Sequence, residues 1–387
     1  MKRIFFSLIL LSGSLNAQVD KNLEGLNRHS LELSNALYKP GKNLFCSPLS
    51  LSAALAMVYA GSRGETRREM EQVMHYNDTS TYTFFSRLQQ SLNRFGSEND
   101  KTQLSVANAL WNRTRLKPAY QALMQQKFEA SVFPLTSEAP INAWADKKTR
   151  GLIKEVLKPG SISPDVRLIL TNALYFKAKW RNTFDTSRTT TEAFYTQGTK
   201  PVDCRMMHQS ARVKYGSLEN IEAIEMPYSD GRMVMELYMP AAGFSVSQML
   251  EKLNNGGLQK IRSQMISQKV EISFPKFRFE NTHELKTPLM AMGMKRAFEG
   301  ADFSAMAEEP LFISAVLQKA VIDVEESGTE AAAVTVVTMM TTSAMHREEM
   351  PAIFYANRPF YFIIRDTQSG AILFNGVVEN PADRNEK

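Results

Sequence analysis

Cysteine is scarce in this sequence: its 387 residues include two, Cys46 and Cys204. Two cysteines are too few for a disulfide scaffold, and the apolar stretch around Cys46 predicts a buried free thiol there. The five histidines are scattered along the chain. None has a zinc-ligand spacing such as H-E-x-x-H or lies in a Cys/His cluster. The sequence therefore indicates no metal site.

The usual signatures of an enzyme are missing as well. There is no G-x-S-x-G nucleophile motif, and the nearest segment, residues 61–64 (G-S-R-G), lies at the end of a predicted helix. No glycine-rich phosphate loop occurs, and no alternation of aromatic and basic residues typical of nucleic-acid binding. We therefore expect no enzyme activity, no cofactor and no nucleic-acid partner. An exported hydrolase is the alternative, but no motif reveals the constellation that it would need.

Long apolar runs are absent except near the start of the chain. There, residues 4–11 follow Lys2 and Arg3 and precede small residues up to Ala17. This order is typical of a secretory signal peptide, so we predict a signal over residues 1–17; a buried N-terminal strand is the alternative. No later run is long enough to cross a bilayer. We expect a soluble secreted chain (extracellular, or periplasmic or at the cell surface in a bacterium) with no membrane partner.

Charge and periodicity indicate a folded chain of mixed structure. The formal net charge is +6, but the basic residues are dispersed, which favours a solvated surface over the alternative of a polyanion-binding face. Apolar residues recur with a helical period in the first half, and strand-like alternation prevails from Val202 onward. These patterns predict an α+β fold. Length alone would suggest two domains, but no linker or repeat marks a boundary.

The most unusual segment covers residues 323–343. It begins acidic, passes Gly328, and then becomes a run of small and β-branched residues with no proline and no charge after Glu330. Such a run has high strand propensity, but it is longer than an ordinary strand and too poor in Gly and Ser for a flexible linker. Left exposed, it would also invite pairing with other chains. The composition predicts a strand with a second role; a core strand and a linker are the alternatives.

Within this segment, residues 326–335 (E-S-G-T-E-A-A-A-V-T) resemble the hinge of the reactive-centre loop of serpins, a family of suicide protease inhibitors. Downstream, residues 354–364 (F-Y-A-N-R-P-F-Y-F-I-I) resemble the segment that follows that loop. Further resemblances occur in the family's order at residues 43–66, 104–111, 141–153, 171–180, 270–280, 285–298 and 370–381. The resemblance thus covers nearly everything after the predicted signal.

The resemblance implies an α+β serpin fold with three β-sheets, about eight to nine helices and an exposed reactive-centre loop. It also implies a single domain over residues 18–387, with the loop at about residues 326–350. The implied function is suicide inhibition of serine proteases, with elastase-, subtilisin- or chymotrypsin-like enzymes preferred and cysteine proteases secondary. The inhibitor would be a monomer that forms a covalent acyl complex with its target protease. A non-inhibitory carrier or chaperone is the alternative, although the hinge contains no residue that obstructs insertion.

The family's functional residues can be placed on this sequence one by one. The hinge comprises Glu326, Gly328, Thr329, Glu330, Ala331, Ala332 and Ala333. The shutter, where the central strands part, comprises Ser47, Ser50, Asn172 and Gln318. Gln318 replaces the histidine expected there; it can donate and accept hydrogen bonds but cannot titrate. Trp180 marks the breach, where the loop first enters the sheet.

The reactive bond is assigned by counting from the hinge. The count places it at Thr342–Ser343, with Met340–Thr341 as the second choice because the loop is longer than in many relatives. After cleavage, the segment from Gly328 onward is expected to insert as a new strand. Thr329 is then the first side chain that must enter the sheet.

Overall fold

The structure, a computed structural model, describes residues 10–98, 101–128, 130–196, 201–329 and 350–383. The helices in these ranges are α1 (Leu10–Leu37), α2 (Pro48–Gly61), α3 (Gly64–Met74), α4 (Ser80–Glu98), α5 (Pro118–Phe128), α6 (Glu138–Lys148), α7 (Val246–Lys252), α8 (Leu258–Gln264) and α9 (Lys286–Met292). None of these helices is long and apolar enough to cross a membrane. The signal peptide stays a prediction, because residues 1–9 lie outside the described ranges.

Strands in the described ranges form two hydrogen-bonded sheets. They are β1 (Leu44–Cys46), β2 (Thr102–Asn112), β3 (Ser131–Pro134), β4 (Leu168–Lys179), β5 (Thr190–Phe194), β6 (Val202–Leu218), β7 (Ile221–Pro227), β8 (Met233–Pro240), β9 (Ile266–Pro275), β10 (Phe277–Glu284), β11 (Ala315–Glu325), β12 (Gly328–Thr329), β13 (Ala352–Tyr355), β14 (Phe360–Asp366) and β15 (Ile372–Val378). The smaller sheet has the order β10-β11-β12-β4-β2-β3. Its centre is the strand pair β4 and β11, with the short β12 between their ends.

The larger sheet has two halves that share the 17-residue strand β6. The first part of β6 pairs with β5 and β9, and β13 extends this half in parallel beside β9. The last residues of β6 pair with β7, and the order continues through β8, β14 and β15 to β1. Together with the smaller sheet, these two halves correspond to the three sheets of the expected fold. The α+β class is confirmed.

Helix α2 begins and ends where the sequence predicts. Pro48 occupies its first position, where the missing N–H is not needed, and Ser47 is the N-cap, its Oγ accepting from the Ser50 N–H at 3.3 Å. Every residue of α2 is buried. The helix packs between the sheets against β4 and β15, so it carries the shutter residues into the core.

The hydrophobic core joins the two sheets. The ring of Phe176 on β4 lies 6.1 Å from that of Phe374 on β15, and both belong to one large buried cluster. Cys46 lies in the same cluster and is a buried free thiol, as expected from the sequence, with its Sγ donating to Asn375 Oδ1 at 2.9 Å. The two sheets thus share one core, and the single domain stays a prediction.

Candidate functional site

The hinge begins where β11 ends. After Glu325 the chain turns through Glu326 and Ser327 and returns as β12, which pairs antiparallel with β11 on one side and β4 on the other. Gly328 passes so close to β4 that a Cβ on it would lie 2.1 Å from the Ala178 carbonyl oxygen. No L side chain fits at that distance, so the local structure requires glycine here.

Thr329 is already part of the smaller sheet. Its side chain is buried, and its Oγ1 lies 2.8 Å from the hydroxyl oxygen of the fully buried Tyr228. Burial raises the pKa of Tyr228, so the phenol stays protonated and one hydroxyl donates to the other. The expectation that Gly328 and Thr329 enter the sheet only after cleavage is therefore wrong. The two residues pair with both neighbouring strands while the chain is intact.

Trp180 lies beside the hinge, directly after β4. Its backbone N–H donates to the Ser327 carbonyl at 3.0 Å, and its indole Nε1–H donates to the Glu325 carbonyl at 3.0 Å. The indole also stacks on Tyr228. Trp180 therefore contacts both the turn into β12 and the residue that holds Thr329. Its assignment to the breach and its role in loop entry stay predictions.

The Glu326 carboxylate is clamped by two side chains that the sequence analysis did not identify. Lys276 Nζ donates to Oε2 at 2.6 Å, and Thr189 Oγ1 donates to Oε1 at 2.8 Å. Burial acts to raise the pKa of Glu326, but the hydrogen bonds from Lys276 and Thr189 outweigh it and leave that pKa below its usual value. Lys276 lies within the resembling segment 270–280, and Thr189 lies outside the resembling segments. Neither was assigned to the hinge, because only the folding of distant parts of the chain brings them to Glu326.

Beyond β12, the strands on either side of it are not paired with each other. β11 and β4 pair in parallel over residues 315–317 and 169–171. Between those pairs and β12 lie residues 318–323 of β11 and 172–177 of β4, and no pairing joins these two described stretches. We call this gap the slot. Its facing backbone edges are a template for one further strand.

At the end of the slot, Gln318 and Ser47 exchange two hydrogen bonds. The Ser47 N–H donates to Gln318 Oε1 at 3.0 Å, and Gln318 Nε2 donates to the Ser47 carbonyl at 2.9 Å. Ser47 Oγ additionally donates to the Leu373 carbonyl at 2.8 Å. The Gln318 amide thus connects β11 to the start of α2 through both of its polar groups.

Asn172 does not take part in this pairing. Its Nδ2 donates to Asn108 Oδ1 on β2, and Asn108 Nδ2 donates to Gln89 Oε1 on α4 at 2.9 Å. The Oδ1 of Asn172 is buried and has no hydrogen-bond partner among the described residues. Asn172 and Gln318 both border a small cavity, with room for about one water molecule. The other three predicted shutter residues, Ser47, Ser50 and Gln318, are therefore directly linked, and Asn172 shares only the border of the cavity with Gln318.

A histidine does reach the shutter, from the neighbouring strand β10. His283 lies opposite Gln318 in the register of β10 and β11, and its Nε2 donates to the Phe45 carbonyl at 2.9 Å. Burial lowers the pKa of His283, against the opposing effect of that hydrogen bond. Matching residues along β11 alone misses this titratable group, because strand pairing is what brings it here.

The other predicted site residues lie outside the described ranges. They are Glu330, Ala331, Ala332 and Ala333 of the hinge, and Met340, Thr341, Thr342 and Ser343 of the reactive bond and its second choice. Their assignment stays a prediction. Within the ranges that are described, no group of three or more His, Cys, Asp or Glu side chains is arranged to hold a metal ion.

The whole chain resembles one group of known proteins. Residues 24–381 match the family model described as Serpin (serine protease inhibitor). The chain is 37% identical to an uncharacterised serpin-like protein of Thermococcus kodakarensis, across 93% of this chain and 86% of the relative. It is 31% identical to intracellular coagulation inhibitor 2 of Tachypleus tridentatus, with 93% and 92% covered. The crystal structure of human thyroxine-binding globulin with thyroxine matches with a TM-score of 0.82 at 27% identity, across 94% of this chain and 100% of that one.

Proposed function

This chain belongs to the serpin family, and we propose that it is a secreted, monomeric suicide inhibitor of serine proteases. The observation that carries the proposal is the position of β12. The smaller sheet already holds Gly328 and Thr329 between β4 and β11, and the slot continues beyond them. The sheet is therefore arranged to accept the rest of the loop as its next strand.

The register of β12 determines where an inserted loop would lie. Thr329 pairs with Val324 on one side and Ala178 on the other. Continued antiparallel pairing sets residues 330–335 opposite residues 318–323 of β11 and 172–177 of β4. These six residues fill the slot without breaking any pair between β4 and β11. Insertion of residues 336–338 would then replace the three pairs at 315–317 and 169–171.

The composition of the loop suits this path. Side chains alternate between the two faces of a strand, so Ala331, Ala333 and Thr335 follow Thr329 onto the buried face. Methyl-sized side chains come first, and the β-branched run from Val334 then favours the strand product. Roughly a dozen new backbone hydrogen bonds, at about 0.5–1.5 kcal/mol each, stabilise the product by on the order of 10 kcal/mol. That is comparable to the stability of a whole domain.

The reaction uses the protease's own chemistry. The protease serine attacks the Thr342 carbonyl, the bond to Ser343 breaks, and Thr342 becomes the acyl group of an acyl-enzyme. Insertion of the residues between Thr329 and Thr342 then draws the tethered protease along the smaller sheet. Displacing catalytic groups by about 1 Å can lower the reaction rate about 100-fold. A protease whose active site is distorted by this pull therefore hydrolyses its acyl-enzyme too slowly to be released.

Incubation with pancreatic elastase or subtilisin tests the proposal. The expected product is a complex that survives denaturing electrophoresis, with mass analysis showing a break after Thr342. A break after Met340 is the second choice for the cleaved bond. Cysteine proteases such as papain are tested as a second panel. Cleaved chain without such a complex across the whole panel would contradict the inhibitory function.

A carrier is the second candidate, and the likeness to human thyroxine-binding globulin favours it. The discriminating measurement is the melting temperature before and after cleavage of the loop by a catalytic amount of protease. A large increase on cleavage means that the loop inserts, as an inhibitor requires. An unchanged melting temperature would favour the carrier.

Secretion is the part of the proposal that depends on residues 1–17. A relative named as intracellular shows that serpin relatives also occur inside cells, so the compartment needs its own test. N-terminal sequencing of the protein from its native host is expected to begin at Gln18. A chain that retains Met1 or Lys2 would contradict export.

A further inference from the structure

Exposed apolar side chains are concentrated beside β13. Of the six large ones in the described residues, four are found here: Tyr195, Met350, Ile353 and Tyr355. Ile353 and Tyr355 alternate with the fully buried Phe354, so both project from the outer face of the sheet. Tyr195 joins them because its backbone N–H donates to the Asn357 carbonyl, just past β13, at 2.7 Å. We call these four residues the β13 patch.

The aromatic side chain at the centre of the patch is held rigidly. Tyr355 donates its hydroxyl proton to Glu192 Oε2 at 2.5 Å, and His208 Nε2 donates to Glu192 Oε1 at 2.8 Å. His208 Nδ1 in turn accepts from Ser273 Oγ at 3.0 Å. This chain of contacts crosses β13, β5, β6 and β9. A tyrosine that is already fixed loses little conformational entropy on binding, and tyrosines of this kind often dominate the energy of an interface.

The patch also lies within reach of the predicted reactive bond. Met350 is eight positions after Thr342, and a chain of eight residues spans at most about 28 Å. A protease of about 230 residues has a radius of gyration of about 17 Å. The surface of a protease engaged at Thr342 can therefore reach β13.

We infer that the β13 patch is a docking surface for the body of the target protease, used before the loop is cut. The inference rests on the proposed function and adds a specificity determinant outside the reactive bond. The Glu192 carboxylate accepts hydrogen bonds from Tyr355, His208 and Thr190, so its oxygens already have partners within the protein. What the patch exposes is its four large apolar side chains. The matching partner is a serine protease with apolar side chains on the rim of its active-site cleft.

The test compares three exposed side chains. Ile353→Ser and Tyr195→Ser change the patch, whereas Ile266→Ser changes an isoleucine of similar exposure (64% against 69%) at the far end of β9. The second-order rate of complex formation with pancreatic elastase and with subtilisin is measured for each. Both patch variants are expected to react about three- to tenfold more slowly with at least one protease, with an unchanged stoichiometry of inhibition. The Ile266→Ser variant is expected to react like the parent.

Two results would overturn the inference while leaving the proposed function intact. One is an equal rate of complex formation for the parent and all three variants. The other is light scattering that shows the parent chain as a dimer, dissociated by Ile353→Ser with no change in rate, which assigns the patch to a second copy of the chain. If the parent forms no complex with either protease, the proposed function and this inference fail together.

Discussion

Trp180 and Tyr228 stack face to face, with ring centroids 4.6 Å apart and planes 9° from parallel. Tyr228 also hydrogen-bonds Thr329, so displacement of β12 from the sheet would remove a contact of this aromatic pair. The two other tryptophans, Trp111 and Trp144, pack on each other in a separate cluster. A chain in which both are replaced by Phe has Trp180 as its single indole. Its fluorescence then reports the position of the hinge.

Gly328→Ala is expected to release β12 from the sheet. The added methyl group would lie 2.1 Å from the Ala178 carbonyl oxygen, and a strand of two residues cannot offset that overlap. Trp180 emission should move to longer wavelength because water reaches the indole. The free energy of unfolding should fall by roughly 1–3 kcal/mol. Ser327→Ala is the matched control, since Trp180 bonds the Ser327 carbonyl and not its hydroxyl. Unchanged emission in Gly328→Ala would refute the close approach.

Thr329→Arg is expected to expel the hinge before any protease is present. Burying an unpaired guanidinium would cost several kcal/mol, which the short β12 cannot offset. The variant should show the emission of Gly328→Ala and be cut as a substrate without a lasting complex. Thr329→Val keeps the shape, should keep β12 in place, and should lose about 1–3 kcal/mol because the Tyr228 hydroxyl is left unpaired.

Ala332→Arg is the control for charge in the hinge. In the continued register, position 332 faces away from the side occupied by Thr329, so its effect on complex formation should be milder. Inhibition by Thr329→Arg with the stoichiometry of the parent would show that the insertion mechanism is wrong for this chain.

One hydrogen bond is expected only after cleavage. In the continued register, Thr335 lies between Gln318 and Asn172 on the buried face. Its hydroxyl can donate to Asn172 Oδ1, which has no partner among the described residues of the intact chain. Thr335→Val should therefore destabilise the loop-cleaved protein by about 1–3 kcal/mol and leave the intact protein unchanged. Calorimetry of both forms measures the difference, with the opposite-face Thr338→Val as control. Equal losses in both forms would contradict the assignment.

Acid is expected to destabilise the fold through His29. Its Nδ1–H donates to the Val73 carbonyl at 3.0 Å, and its buried Nε2 has no partner among the described residues. Burial is the main cause that lowers the pKa of His29 to about 4, and the nearby His75 lowers this pKa as well. The hydrogen bond to the Val73 carbonyl and the charge of Glu32 act to raise it. The unfolded chain thus takes up a proton near pH 6.5 and the folded chain only near pH 4. Stability that is fully present above about pH 6.5 is lost as the pH falls through that window.

The size of this effect is up to about 3 kcal/mol. Urea unfolding of the parent and of His29→Gln, compared at about pH 7 and about pH 4.5, measures it. The parent should lose more stability on acidification than His29→Gln, which has no group to protonate there. An equal loss in both proteins would assign the acid sensitivity to other groups.

Local chemistry made much of this molecule predictable from its sequence. The Ser47–Pro48 start of α2, its end at Gly61 and the place of Trp180 follow from capping rules and from the resemblance of short segments. The need for Gly328 could also be anticipated, although the reason, a close approach to β4, is visible only in the structure.

Features that depend on tertiary structure could not be predicted in the same way. His283 reaches the shutter from β10, and Lys276 and Thr189 reach the hinge from the positions just before β10 and β5. No spacing in the sequence connects these three residues to those sites. Whether Thr329 lies inside or outside the sheet depends on a balance of a few hydrogen bonds against strand separation. Sequence patterns do not resolve a difference of that size.

Because β12 is formed before cleavage, the costly nucleation of the new strand does not have to compete with the protease. In the proposed mechanism, elongation through the six-residue slot and replacement of the three pairs between β4 and β11 remain after the acyl-enzyme forms. A β-hairpin forms in about 1–10 μs, whereas protease turnover at about 1–1,000 s⁻¹ takes a millisecond or longer. Filling the slot on the hairpin timescale would be at least about 100-fold faster than hydrolysis of the acyl-enzyme. In the proposed mechanism, the acyl-enzyme should accordingly be trapped far more often than it is hydrolysed. The stoichiometry of inhibition should be close to one inhibitor molecule consumed per enzyme.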